Sequence, residues 1–347
     1  MPETIPDATP QPGSQTGADM APEARVAAAA ELLGHALGGR LRRDVPLAPL
    51  TTYRVGGPAA LFVAVTTLDD LVAIAEARRA TGVPVIVIGR GSNMLVADTG
   101  FAGVAISIAD LASQIELPTD GAESQIVTAG GGVALPMLAR RTASAGLTGF
   151  EWAVGVPGSI GGAVRMNAGG HGSDMAECLV DVKVFDMGDP AAGLQRLPVD
   201  ALGLRFRASA LAAAHVVYEA RLLLRAGDRS RSEQQIAEIV HWRRTHQPGG
   251  QNCGSVFVNP VPGEVAAGQL IDALGLRGMR IGTAHVSEKH ANFIQADEGA
   301  TAADVRAVME EVRRRVADAT GHRLRSEVRL VGFDDADPMS FDEEVAS

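Results

Sequence analysis

The chain has 347 residues, enough for roughly two domains, and its 46% hydrophobic and 21% charged residues are a globular composition. A formal net charge of −10 excludes a general nucleic-acid binder, which needs a basic surface, while leaving room for a local basic pocket. Two cysteines, Cys178 and Cys253, give no disulfide framework and no CxxC metal pattern, which fits a reducing compartment and no metal centre.

Residues 1–22 are rich in Pro, Gly, Thr, Ala and Gln and have no basic segment followed by an apolar run. They read as a disordered extension, not a secretory signal. Residues 23–41 carry a helical apolar pattern that ends at Gly38-Gly39. The apolar run 61–65 precedes a helix over 68–80 and then the β-branched run 83–88, an order that favours α/β architecture over about 45–102. From 103 to 227 short apolar runs dominate (104–108, 126–129, 180–185, 216–224), broken by glycines and by one helix over about 135–145. This segment is expected to be a mixed sheet with long Gly-rich connections, and 23–227 to form one domain of two subdomains.

A third region, 228–333, opens with Ser232 and Gln235 in capping-box spacing. Ile236, Ile239, Val240 and Arg243 then share a stripe that ends before Pro248. Thr301 and Asp304 open a further helix with Val305, Val308, Met309, Val312 and Val316 on one face. The arginines 313–315 at its end read as a solvated face. The acidic stretch 334–347 is expected to be a disordered tail. No apolar run is long enough to span a membrane.

Two glycine clusters suggest a ligand. Gly89-Arg90-Gly91-Ser92-Asn93 follows the β-branched run, where glycines let backbone N–H groups reach phosphate oxygens. It is not GxGxxG, because position 94 is Met94, and no Gly-Lys-Ser/Thr is present. The second, GVPGSIGGAVRMNAGGHG from Gly155, offers an extended backbone surface with few side chains in the way. A GxSxG elbow around Ser159 fails because position 157 is Pro157. With Gly130-Gly131-Gly132, the clusters are better explained by a dinucleotide than by turns alone.

Together with Thr52-Tyr53-Arg54-Val55-Gly56-Gly57-Pro58-Ala59, these loops resemble the FAD-binding domain of the UDP-N-acetylenolpyruvoylglucosamine reductase family. The third region resembles the same family through Gln247-Pro248, Gly254-Ser255-Val256-Phe257-Val258-Asn259-Pro260, Ser287-Glu288-Lys289-His290-Ala291-Asn292-Phe293 and Ser326-Glu327-Val328-Arg329-Leu330. The motifs run in family order from about 45 to 332, and the compact spacing between Arg207 and Ser255 is similar to the shorter type without a tyrosine loop. Two positions depart from the pattern: Val258 stands where a Lys is usual, and Phe206 where a Tyr is usual.

The resemblance implies an α+β fold, with a two-part FAD-binding domain of the vanillyl-alcohol-oxidase type and a C-terminal α+β substrate domain. It implies a cytoplasmic, monomeric oxidoreductase of peptidoglycan synthesis with non-covalent FAD and NADPH as reductant. The partner is a small nucleotide-sugar, with no nucleic acid and no membrane. Cofactor positions carried over are Tyr53, Arg54, Gly89, Arg90, Gly91, Ser92, Asn93, Leu95, Gly130, Gly131, Gly155, Pro157, Gly158, Ser159, Gly161, Gly162, Ala163 and Asn167. Ser255 would be the proton donor, with Arg207 and Glu327 completing the catalytic set. Asn259, Arg277, Lys289, His290 and Arg329 are expected to contact substrate. The alternation of Arg325, Glu327 and Arg329 with apolar or small neighbours also reads as a strand that points Glu327 and Arg329 from one face.

Four rival readings stand beside these. A thiol nucleophile at Cys253 finds no nearby base in the sequence. Covalent flavin on His171, as in related oxidases, conflicts with the non-covalent family. An oxidase of the same fold, or a non-catalytic binder, would lack the Ser255, Glu327 and Arg329 motifs or show decay at Arg207, and all of these are intact.

Overall fold

The computed structural model describes residues 20–118 and 124–333. The disorder expected for 1–19 and for the tail 334–347 lies outside the described residues, and Pro22 already stands in the first helix. Helix α1 (Pro22–Leu37) buries Ala29, Ala30, Leu33 and Leu37 and stops at Gly38, whose φ of 55° suits a residue without Cβ. After β1 (Leu41–Pro46) and β2 (Pro58–Ala64), helix α2 (Leu68–Thr81) starts at a capping box of Thr67 and Asp70. Asp70 also accepts from Arg40 at 2.6 Å. Burial opposes ionisation there, yet hydrogen bonds from Thr66, Arg40 and Thr67 bring its pKa down to about 2. Strands β3 (Val85–Val87), β4 (Met94–Val96) and β5 (Phe101–Ser107) follow.

The first sheet has the order β1-β2-β5-β3, with β5 parallel to both of its neighbours and β1 antiparallel to β2. Helices α1 and α2 share a buried cluster with Leu61, Val63, Val104 and Ile106 from this sheet. The run 83–88 yields only three residues of strand.

Then come β6 (Ile115–Glu116), β7 (Ser124–Gly130), α3 (Leu135–Ser144), β8 (Leu147–Thr148), α4 (Ile160–Arg165), β9 (Gly169–Gly170), β10 (Ser173–Asp174), β11 (Leu179–Asp186), β12 (Leu194–Pro198) and β13 (His215–Ala226). They build a second sheet ordered β12-β11-β13-β7-β6, with β8 also on β13. The sequence led us to expect a mixed sheet, but every pairing here is antiparallel. Short runs separated by turns cannot reveal strand direction by themselves.

Helix α5 (Arg229–His246) corrects a second expectation. Its N-cap is Asp228, whose carboxylate accepts from the Arg231 N–H at 2.8 Å. Ser232 is not a cap. It sits one turn into the helix, buried, and donates to Glu151 at 2.6 Å. Glu151 is 4% exposed and also accepts from the Thr148 hydroxyl at 2.7 Å and the Gly149 N–H at 2.8 Å. Burial pushes its carboxyl up, but these donors outweigh it and hold the pKa below the usual range.

The remaining elements are α6 (Ala267–Ala273), β14 (Arg280–Ile281), β15 (Ala284–Val286), β16 (Ile294–Ala296), α7 (Ala302–Thr320) and β17 (Arg329–Val331). Strands β14 to β16 form an antiparallel meander. Helix α7 lays the expected stripe of Val305, Val308, Met309, Val312 and Val316 into a cluster with Val256, Phe257 and Ile294. Thr301 caps it as the sequence indicated. Two further N–H groups of that end, on Ala302 and Ala303, donate to Asp98 at 2.8 and 2.9 Å. Strand β17 pairs in parallel with β4, so the last strand among the described residues completes a sheet begun near residue 94. Among the described residues no helix is long and apolar enough to cross a membrane, and no group of metal-binding side chains occurs.

The Glu151 cluster is directly testable. Replacing Glu151 by Ala strands a buried hydroxyl on Ser232 and the Thr148 and Gly149 donors, and should cost about 2–3 kcal/mol of unfolding free energy. Because the folded carboxyl has a lowered pKa, its contribution is present above the unfolded value and lost as pH falls through the folded one. The stability gap between the parent and Glu151→Gln should therefore shrink on acidification, as read by chemical denaturation at several pH values. A gap that widens in acid would contradict this account.

Candidate active site

Three glycine segments meet. Residues 89–93 link β3 to β4, and residues 155–162 lead into α4. A Cβ on Gly89 would lie 2.3 Å from Ser159 Oγ, and one on Gly158 would lie 3.7 Å from Ser92 Oγ. Ser159, buried, caps α4. Gly161 N–H donates to the Gly131 carbonyl at 2.8 Å, which ties in the third segment. Gly130 and Gly131 themselves are glycine for packing, since a Cβ would strike the carbonyls of Ala112 and Val217.

Four of the five non-glycine residues with positive φ among the described residues, Arg54, Asn167, His171 and Arg207, lie in the glycine segments' surroundings or in motif loops. Such strain gathers where a site is over-determined by its neighbours. Arg54 N–H donates to Thr51 Oγ1 at 3.2 Å. Thr52 N–H donates to the Gly91 carbonyl at 3.1 Å, and the buried Thr52 hydroxyl has no partner among the described residues. A buried hydroxyl left open beside a phosphate-type loop is what a flavin dinucleotide needs, so the residues fit such a group. Thr52 was not among the positions singled out from the sequence, and only its place in the motif could have marked it.

Other expected cofactor positions are engaged by the protein. Tyr53 is fully buried in the cluster with Cys253, Val256 and Phe257, and its phenol, raised by burial, has no hydrogen-bond partner of normal geometry. Leu95 is buried in β4. Ala163 is buried in α4, whereas Arg90, Pro157 and Gly162 are exposed. Gly155 is buried under His171, whose ring atoms would lie 3.1 Å from a Cβ there. The imidazole of His171 meets Trp242 edge-on at 5.2 Å. Asn167, 4% exposed, uses its whole amide on protein partners.

The three residues expected to be catalytic gather around the backbone of Glu327. Glu327 N–H donates to the Val256 carbonyl at 2.8 Å, next to Ser255, and the Glu327 carbonyl accepts from Asn93 Nδ2 at 2.8 Å. The Asn93 carbonyl in turn accepts from Arg329 N–H at 3.0 Å. Arg207 reaches the Glu327 carboxylate from Nε at 3.3 Å and the Gly169 carbonyl from Nη2 at 3.1 Å. The Glu327 side chain is 14% exposed. Burial raises its pKa, while the Arg207 guanidinium pulls it back. Ser255 is half-buried, after Gly254 at φ 86°. The strand read over 324–330 is regular only from Arg329, with Ser326 making a single bridge to Phe257.

The substrate positions divide. Arg329 belongs to the Glu327 segment. Asn259 accepts from the Ala267 N–H at the start of α6, at 3.0 Å. Arg277 is paired with Asp272 at 2.5 Å and donates to the Glu288 carbonyl at 2.8 Å. Lys289 Nζ donates to the Arg244 carbonyl near the end of α5. His290 packs on Phe293 at 4.7 Å, and its Nδ1 accepts from Asn292 N–H. Burial pushes the Cys253 thiol up to about 12, so it stays protonated, which argues against a thiolate nucleophile.

Comparison with known proteins now bears on this geometry. Residues 245–331 match the family model for the UDP-N-acetylenolpyruvoylglucosamine reductase C-terminal domain, and 59–189 match that of an FAD binding domain. The chain is 42% identical to the UDP-N-acetylenolpyruvoylglucosamine reductase of Heliobacterium modesticaldum over 85% of this chain and 91% of that one. It is 44% identical to the Synechococcus sp. protein of the same name, over 84% and 94%. A crystal structure of UDP-N-acetylenolpyruvylglucosamine reductase from Thermus caldophilus superposes with a TM-score of 0.68 at 33% identity, covering 84% of this chain and 99% of that one. With two family models in the expected order and near full-length relatives above 40% identity, this α+β, FAD-binding chain belongs to the UDP-N-acetylenolpyruvoylglucosamine reductase family and is a flavin-dependent oxidoreductase.

Proposed function

We propose that the chain reduces UDP-N-acetylglucosamine enolpyruvate to UDP-N-acetylmuramate, with NADPH as the electron source, in peptidoglycan precursor synthesis. One observation carries this reading beyond family membership: the Glu327 backbone is tied on one side to the segment after Ser255 and on the other to Asn93 of the glycine loop. That arrangement supports a proton donor, a buried carboxyl and a guanidinium working beside one flavin seat. A nucleotide-sugar and NADPH are cytoplasmic metabolites, which supports cytoplasmic action on a small molecule. The chain is proposed to act as a monomer.

The glycine segments at 89–93, 130–131 and 155–162 would hold FAD, which, once reduced by NADPH, would supply a hydride to the distal alkene carbon of the enolpyruvyl ether. Charge then develops on the carbon beside the carboxylate. The Arg207 guanidinium, held at Gly169 and Glu327, offers fixed donors for that enediolate-like group. Glu327, whose burial favours its protonated form, orients the carboxylate or Ser255. The Ser255 hydroxyl gives its proton to the carbon, and the cation at Arg207 eases its loss. Arg329, from the same segment, adds positive charge.

Two experiments bear on this. The purified protein should be yellow, and acid or heat precipitation should leave the flavin in the supernatant, whereas colour held in the pellet would mean a covalent bond and bring back His171. Stopped-flow absorbance separates the two half-reactions. Ser255→Ala should keep FAD, keep near-normal flavin reduction by NADPH, and lose at least about 10²-fold in reoxidation by the enolpyruvyl substrate without dioxygen. Ser255→Cys should recover part of the loss. Equal slowing of both halves would make Ser255 structural, and reoxidation by dioxygen alone would point to an oxidase.

A further inference from the structure

Arg207 sits at the tip of a very tight turn. Arg205 and Ala208 exchange backbone hydrogen bonds, with Arg205 N–H donating to the Ala208 carbonyl at 3.0 Å and Ala208 N–H donating back at 3.1 Å. Phe206 and Arg207 are left as the loop between them, Phe206 is 55% exposed, and Arg207 has φ 56°. Nothing in such a turn fixes where its tip points. A long side chain on an exposed, strained loop would sample many directions unless the turn were gripped from outside.

Asn167 supplies the grip. It is 4% exposed and lies at φ 37°, a conformation that Asn adopts more readily than most residues. Its Nδ2 donates to the Arg205 carbonyl at 3.3 Å and to Asp174 Oδ2 at 3.0 Å. Its Oδ1 accepts from the Ala176 N–H at 3.0 Å. One buried amide thus binds the base of the arginine's turn and also the segment leaving the β9–β10 hairpin. That hairpin carries Gly169, whose carbonyl receives the Arg207 guanidinium. Gly169 must be glycine for the hairpin to close, since a Cβ would lie 2.6 Å from Asp174 Cβ. On the other flank, Ser209 Oγ donates to the Arg165 carbonyl at 2.7 Å.

We infer that Asn167 is a positioning residue for Arg207: it fixes both the turn that carries the guanidinium and the hairpin carbonyl that receives it, and its side chain does not hold the cofactor. The inference rests on the role proposed above for Arg207. A misplacement of about 1 Å in a reacting group can cost on the order of 10²-fold, which sets the ceiling on the effect.

The test is a double-mutant cycle on the FAD-loaded protein. Asn167→Gly removes the amide while allowing the positive φ. It should keep bound FAD and normal reduction by NADPH, and slow reoxidation by the enolpyruvyl substrate by about 10-fold, with 10²-fold as the limit. Arg207→Ala alone should slow the same half-reaction, and adding Asn167→Gly to it should cause no further loss, because the residue it positions is gone. Asn167→Asp keeps the acceptor and the tolerance for positive φ but loses the donors to Arg205 and Asp174 and sets a carboxyl against Asp174. It is the second variant should Asn167→Gly not accumulate, and the same selective slowing is expected. Loss of flavin from either variant would overturn the inference and return Asn167 to the cofactor. So would equal slowing of both halves, or full additivity with Arg207→Ala. An Arg207→Ala protein with unimpaired reoxidation would instead sink the reading of Arg207, and the inference with it.

Discussion

The two hydrogen bonds on the peptide of Glu327 hold the rest of the site together. They join three stretches of chain distant in sequence: the glycine loop at Asn93, the segment after Ser255, and the segment leading into β17. Asn93 and Glu327 are 234 residues apart. Closing so long a loop is entropically unfavourable, though the penalty grows only slowly with length. Burial offsets it. Tyr53, Val55 and Leu95 from the N-terminal half lie in the same apolar cluster as Val256, Phe257 and Val328. The hydrogen bonds then set register and direction within an association that the apolar surface drives.

Around that peptide the backbone is strained and the strain is contained. Residues with positive φ and a Cβ cost roughly 1–2 kcal/mol each. Arg207 accepts this while its guanidinium is met by a carboxylate and a carbonyl. Asn167 accepts it with every polar atom of its amide bonded. The same low-dielectric enclosure that makes an unpaired group costly raises the pKa of Glu327. Electrostatics and conformation are therefore set by the same packing.

Helices with a strong apolar period were legible before any coordinates. The stripe of α7 and its Thr301 cap, and the span of α3, follow from local spacing alone. What failed was decided at a distance. Ser232 has the spacing of a cap, but a buried Glu151 from another element claims its hydroxyl. The antiparallel order of the second sheet depends on which runs meet, which no single run encodes. At the site, Arg207 and Ser255 were marked by motifs alone, and Glu327 by its motif together with the alternation around it. Tyr53 and Asn167 stood in the right motifs, yet burial gives their side chains protein partners and surroundings. Thr52 went unremarked because an open hydroxyl only stands out once its neighbours are paired.

The pairing of β17 with β4 has a consequence for how the molecule comes into being. Ribosomes extend chains at about 5–20 residues per second and domains tend to fold as they emerge. The 234 residues between Asn93 and Glu327 then correspond to a delay on the order of 10–50 s. Throughout that interval β4 lacks its parallel neighbour, and Asp98 waits 204 residues for the helix end it later caps. The nascent protein thus acquires its glycine loops well before it acquires the Glu327 carboxyl.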